Sequence, residues 1–143
     1  MNWKTMFFTV LILATNMFGQ GQSAVIVKQV ALTNQTAFIS PTELLIPTST
    51  ALYRVSAYFE VLSFSRDGDE YFLNIGWTDA TLTGNRKKTL TIRDYDPALY
   101  SNSASLIVSD LAGKPLEYSV TDNLGLQQPA DPFDLYITVE QLQ

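Results

Sequence analysis

The chain has 143 residues, 46% of them hydrophobic, with nine Lys and Arg against 14 Asp and Glu and neither Cys nor His. That apolar content belongs to a globular chain, and a net charge of −5 repels a phosphate backbone, so nucleic acid is not an expected partner. Without Cys there are no disulfides, thiolate nucleophiles, N-terminal lipid anchors or Cys-built metal sites; without His there are no Ser-His-Asp triads, imidazole bases or His-ligated metals, which leaves a nonenzymatic reading.

Residues 1–23 follow the order of a secretory signal peptide. Lys4 supplies the positive start, Met6 through Ala14 an apolar run, and Gly19, Gln20, Gly21, Gln22 and Ser23 a small polar end. The run falls well short of the ~20 residues that cross a bilayer, so no stable membrane insertion is expected after cleavage. A cut after Ser23 puts Gly21 at the −3 position; cuts at Gly21 or Ala24 are close rivals. The expected product is one secreted, periplasmic or extracellular domain, residues 24–143. It keeps eight Lys and Arg against 14 acids, a net charge of −6.

Strand patterns then follow one another, with no amphipathic helix of three turns. Candidates 25–33, 36–39 and 43–46 come first, with Ser40-Pro41 and Pro47 bracketing the third. A proline there belongs on an edge strand or in a connection. Asn34-Gln35-Thr36 fits an N-glycosylation sequon, which matters only in a eukaryotic secretory pathway. Residues 52–61 alternate with period two, Tyr53, Val55, Ala57, Phe59 and Val61 on one face and Tyr58 on the other. Asp67-Gly68 has the chemistry of a tight hairpin turn. Residues 71–77 alternate again, with Tyr71, Leu73, Ile75 and Trp77 opposed to Phe72. Thr83-Gly84-Asn85-Arg86 is a connection, followed by candidates 89–93 and 103–109. Ala112-Gly113-Lys114-Pro115 then leads to 116–121, and a connection at 127–132 leads to 133–139, where Tyr136 opposes Phe133, Leu135, Ile137 and Val139. About nine short strands at this spacing suit a two-sheet sandwich or a barrel, and the expected fold is an all-β, two-sheet antiparallel sandwich, jelly-roll-like. Periodicity fits a jelly roll and an immunoglobulin-like sandwich equally. The expected core includes Val55, Phe59, Ile75, Trp77, Leu135 and Ile137.

The ordered series Leu52-Tyr53-Arg54-Val55-Ser56-Ala57-Tyr58, Ile75-Gly76-Trp77-Thr78-Asp79, Leu116-Glu117-Tyr118-Ser119-Val120-Thr121 and Asp134-Leu135-Tyr136-Ile137-Thr138-Val139-Glu140 resembles small all-β modules of phage virion proteins and of secreted bacterial proteins of unassigned function. It is also similar to the jelly-roll heads of the tumour-necrosis-factor and complement type. Ser49-Thr50-Ala51 departs from the phage-type pattern, where a Gly-containing turn is expected, and residues 83–98 form a longer, irregular stretch. The resemblance implies a jelly-roll-like sandwich with first and last strands side by side, a trimer, and no catalytic residues.

Three groups of residues are candidates for function. Tyr58, Phe72 and Tyr136 lie opposite the main apolar pattern and are expected to form an interface in a homo-oligomer, although a second hydrophobic layer within one subunit would explain the same pattern. Asp94, Tyr95 and Asp96 combine carboxylates with a stacking ring and suit a glycan, with Tyr100 a further ring; this is the alternative function, a carbohydrate-binding module. The plainer reading of Asp96-Pro97 is a strand end. Asp67, Asp69 and Glu70 offer hard oxygen ligands to Ca²⁺, but a solvated hairpin tip is the plainer reading of them. No cofactor is expected beyond that ion. A carboxylate-based glycoside hydrolase would draw on Asp79, Asp94 and Asp96, with Asp79 near the other two.

Overall fold

A computed structural model describes residues 23–63, 70–84, 86–94, 101–123, 129 and 131–142. Eight strands follow in order: β1 Ala24–Gln35, β2 Ile39–Leu45, β3 Ala51–Val61, β4 Tyr71–Thr78, β5 Lys87–Asp94, β6 Ser101–Asp110, β7 Leu116–Asp122 and β8 Phe133–Leu142. They form two four-stranded antiparallel sheets, ordered β1-β8-β3-β6 and β2-β7-β4-β5. Strand order decides between the two sandwiches that periodicity left open: this is the jelly-roll arrangement, with the first strand paired to the last.

The alternation sets the layers, because successive side chains point to opposite faces. Along β3, Tyr53, Val55, Ala57, Phe59 and Val61 are buried between the sheets, as are Phe133, Leu135, Ile137 and Val139 of β8. Tyr71, Leu73 and Ile75 of β4 and Leu116, Tyr118 and Val120 of β7 meet them from the second sheet. Phe59 and Phe133 pack with ring centroids 5.4 Å apart. Five of the six expected core residues are buried; Trp77 is half-buried and packs against that core.

Eight strands replace the expected nine because one strand, β2 from Ile39 to Leu45, stands in place of the two candidates 36–39 and 43–46. Pro41 does not break β2, since β2 lies at a sheet edge and its ladder to β7 shifts register between Ile39 and Thr42. A second correction concerns Asp67-Gly68. The pair lies outside the described residues, but β3 and β4, which it joins, sit in different sheets, so the connection is a crossover and not a hairpin. The one pair of consecutive strands that are neighbours in a sheet is β4–β5, whose turn holds Gly84 at φ 82°. The β6–β7 crossover holds Gly113 at φ 70°, in the left-handed region that glycine enters without a Cβ penalty, and its N–H donates to Pro47 O at 2.8 Å.

Polar groups fasten the two poles of the sandwich. At one, Asp131 N–H donates to the buried Tyr71 hydroxyl at 2.9 Å, and Ser63 Oγ donates to Asp131 Oδ1 at 2.6 Å. At the other, β4 and β6 meet across the two sheets: Ala80 N–H donates to Ser109 O at 2.9 Å and Leu111 N–H to Thr78 O at 3.0 Å.

Candidate functional site

The outward residues of β8, β3 and β6 form rows, because directly opposed residues of an antiparallel ladder share a face. One row reads Tyr136, Tyr58, Ser103, with Ala31 of β1 at its end. The next reads Thr138, Ser56, Ser105, and the one after it Glu140, Arg54, Ile107. Tyr58 and Tyr136 therefore stand side by side, with ring centroids 6.0 Å apart and planes tilted by 49°. The Tyr58 hydroxyl donates to Glu60 Oε2 at 2.8 Å, which fixes the ring. Tyr136 remains 40% exposed. Beside the pair, small side chains leave a groove of about 440 Å³ over Ser56, Ser103, Ser105 and Thr138.

Apolar and charged groups surround this centre. Ile107 is 60% exposed and Leu52 42%. Ile26, opposite Glu140 on β1, is 54% exposed. Arg54 Nη1 lies 3.2 Å from Glu140 Oε2, an exposed ion pair worth at most about 1 kcal/mol to the fold. Glu60 and Asp134, opposite each other one row beyond the tyrosines, add two further acids to the face.

No protein-family model and no curated protein matches the chain. Among solved structures it is similar to the Eiger TNF from S. frugiperda, with a TM-score of 0.35 and 17% identity, covering 87% of this chain and 94% of that one. At that TM-score the likeness carries no argument. The jelly-roll assignment rests on the strand order itself.

The structure brings Tyr58 and Tyr136 together and separates Phe72 from them. Phe72 lies in β4, on the outer face of the opposite sheet, across from Thr121 and Arg93. A single contact face holding all three is therefore ruled out: alternation shows that Phe72 points away from its own strand's core side but not which sheet its strand joins. The Asp79–Asp94 association is corrected as well. Asp94 pairs with Tyr71 at one end of the β4–β5 ladder, and Asp79 follows Thr78 at the other, roughly 25 Å away by strand rise. Those two backbone positions are too far apart to serve one glycosidic bond. Tyr95, Asp96 and Tyr100 lie outside the described residues, as do Asp67 and Asp69 of the proposed Ca²⁺ loop. The backbone of Glu70 is tied to Asn123, which donates its N–H to Glu70 O at 3.1 Å and accepts from Glu70 N–H through Oδ1 at 3.1 Å. Among the described residues, no group of three or more acidic side chains converges on a metal position.

Two carboxylates stand at the β4–β6 pole, Asp79 and Asp110, of which the sequence marks only Asp79. Asp79 Oδ2 pairs with Lys88 Nζ at 2.8 Å, and its Oδ1 accepts from Thr81 N–H and Oγ1. The Lys88 contact, followed by the two from Thr81, lowers its pKa to about 2. Asp110 is fully buried; its Oδ1 accepts from Thr78 N–H at 3.3 Å and Leu111 N–H at 3.0 Å, and Oδ2 has no hydrogen-bond partner among the described residues. Burial raises its pKa against those two hydrogen bonds. The phenol of Tyr53 is raised by burial and by the charge of Asp110. These groups fasten the two sheets.

Proposed function

We propose that the protein is a secreted, nonenzymatic interaction module that self-associates through the outer face of the β1-β8-β3-β6 sheet. The observation that carries this is the Tyr58–Tyr136 pair, half-exposed at the centre of a face that also presents Ile107, Leu52 and Ile26. Apolar and aromatic groups gathered in this way mark interaction surfaces on soluble proteins. The leader-like order of residues 1–23 supports export, and the resemblance to trimeric jelly-roll heads makes a closed trimer the expected assembly.

Light scattering behind a sizing column tests the reading. The wild type is expected to elute as a stable oligomer, and Tyr136→Glu, which buries a charge at the contact, as a monomer with an unchanged thermal transition. A monomeric wild type over the accessible concentration range overturns self-association. Export is checked separately: the mass of the protein released from an expressing cell should correspond to loss of the first 23 residues.

A further inference from the structure

The outer face of the second sheet has a different chemistry. Its rows read Ser119, Asn74, Thr91 and Glu117, Gly76, Thr89, all of them polar apart from the glycine. Gly76 lies in the middle of β4 outside the left-handed region, so its backbone does not demand glycine. Its role is steric: a Cβ there would meet Glu117 Cγ at 3.3 Å and Oε1 at 3.4 Å. Glycine within a strand weakens it and commonly marks close approach by another group. Here the missing side chain lets Glu117 lie across β4 and leaves bare backbone as the floor of a groove of about 250 Å³. The groove runs across the whole sheet, from Pro41 on β2 to Thr89 on β5, roughly 14 Å by ordinary strand spacing.

We infer that this groove binds a neutral oligosaccharide. Its polar groups are held in place before any ligand arrives: Asn74 Oδ1 accepts from Thr91 Oγ1 at 2.8 Å and its Nδ2 donates to Thr121 Oγ1 at 3.4 Å. Prepositioned groups reduce the ordering that binding requires. Glu117 Oε1 lies 3.3 Å from Lys87 Nζ, and Glu43 of β2 stands opposite Glu117 in the same row, so the described side chains offer an anion no excess of positive charge and the face suits an uncharged ligand. An amide, hydroxyls and a carboxylate side by side both donate and accept, as sugar hydroxyls do. The length of the groove suits a chain of sugar rings. This site is separate from the Asp94, Tyr95 and Asp96 position, and it is independent of the tyrosine face on the opposite sheet.

Affinity electrophoresis of the purified protein in native gels containing xylan, galactomannan, mixed-linkage β-glucan or alginate provides the test. At least one of the three neutral polymers is expected to retard the wild type. Gly76→Val fills the floor with a residue that strands favour, and Asn74→Ala removes a fixed amide; each should weaken retardation roughly tenfold or more. Thermal melts are expected to show both variants folded. Tyr136→Glu should be retarded like the wild type, which separates this site from self-association. Absence of retardation by every neutral polymer, retardation by alginate alone, or equal retardation of the wild type and both groove variants overturns the proposal.

Discussion

At Asp110 a fully buried carboxylate has two backbone donors on one oxygen and none, among the described residues, on the other. Its folded-state pKa lies above the ordinary 3.8, so the folded protein holds that proton more tightly than the unfolded chain. Below the unfolded value the group is neutral in both states. As pH rises through the folded value it must ionise in place, and stability falls. Asp110→Asn keeps the acceptor and removes the ionisation; it is expected to gain on the order of 1 kcal/mol near pH 7 and nothing near pH 3. Asp79 has the opposite sign. Its pKa of about 2 gives a contribution that is present above 3.8 and lost as pH falls from there toward 2. Urea denaturation of wild type and Asp110→Asn across this range checks both limbs, and parallel curves for the two proteins would contradict the assignment to Asp110. Asp110 does not stand out in the sequence, because a carboxylate at a strand end reads as solvated until the other sheet closes over it, and Asp79 reads there only as a partner for Asp94.

Among the elements, β8 holds the first sheet together. It pairs with β1 along one edge and with β3 along the other, and four of its residues are buried between the sheets. Deleting residues 133–143 is therefore expected to abolish cooperative thermal unfolding, as followed by circular dichroism. A truncated protein with a normal transition would show that β3 and β6 suffice without it. The alternation that revealed β3, β4 and β8 in the sequence is the imprint of one buried face and one solvated face on each strand. It fixes which side chains share a face of their own strand, and so it found Val55, Phe59, Ile75, Leu135 and Ile137. It carries no information on strand partners, and so it placed Phe72 with Tyr58 and Tyr136 and drew Asp79 toward Asp94. Local turn chemistry misled in the same way at Asp67-Gly68, where a sequence suited to a hairpin joins strands of opposite sheets. The polar groove was legible only as a glycine inside the 71–77 alternation; the carboxylate lying over that glycine comes from β7, 41 positions further along the chain.

For the molecule as a whole, connectivity governs kinetics. Every connection except β4–β5 passes between the sheets, so most pairing brings together distant parts of the chain. Loop-closure entropy must then be met before contacts reward it, and refolding is expected on the millisecond-to-second scale rather than in microseconds. Stopped-flow fluorescence of Trp77, half-buried against the core, would follow it; a microsecond phase accounting for the full amplitude would contradict this. The β1–β8 ladder reaches further than stability. Ala24 faces Leu142 across it, so the two ends of the folded domain emerge together at one pole, the same pole at which β4 and β6 meet. A short bridge between those ends, with the chain reopened at the Gly84 turn, would yield a permuted protein in which every strand keeps its neighbours. Cargo fused to either end of the native order would hang from the same side, leaving both broad faces of the sandwich clear.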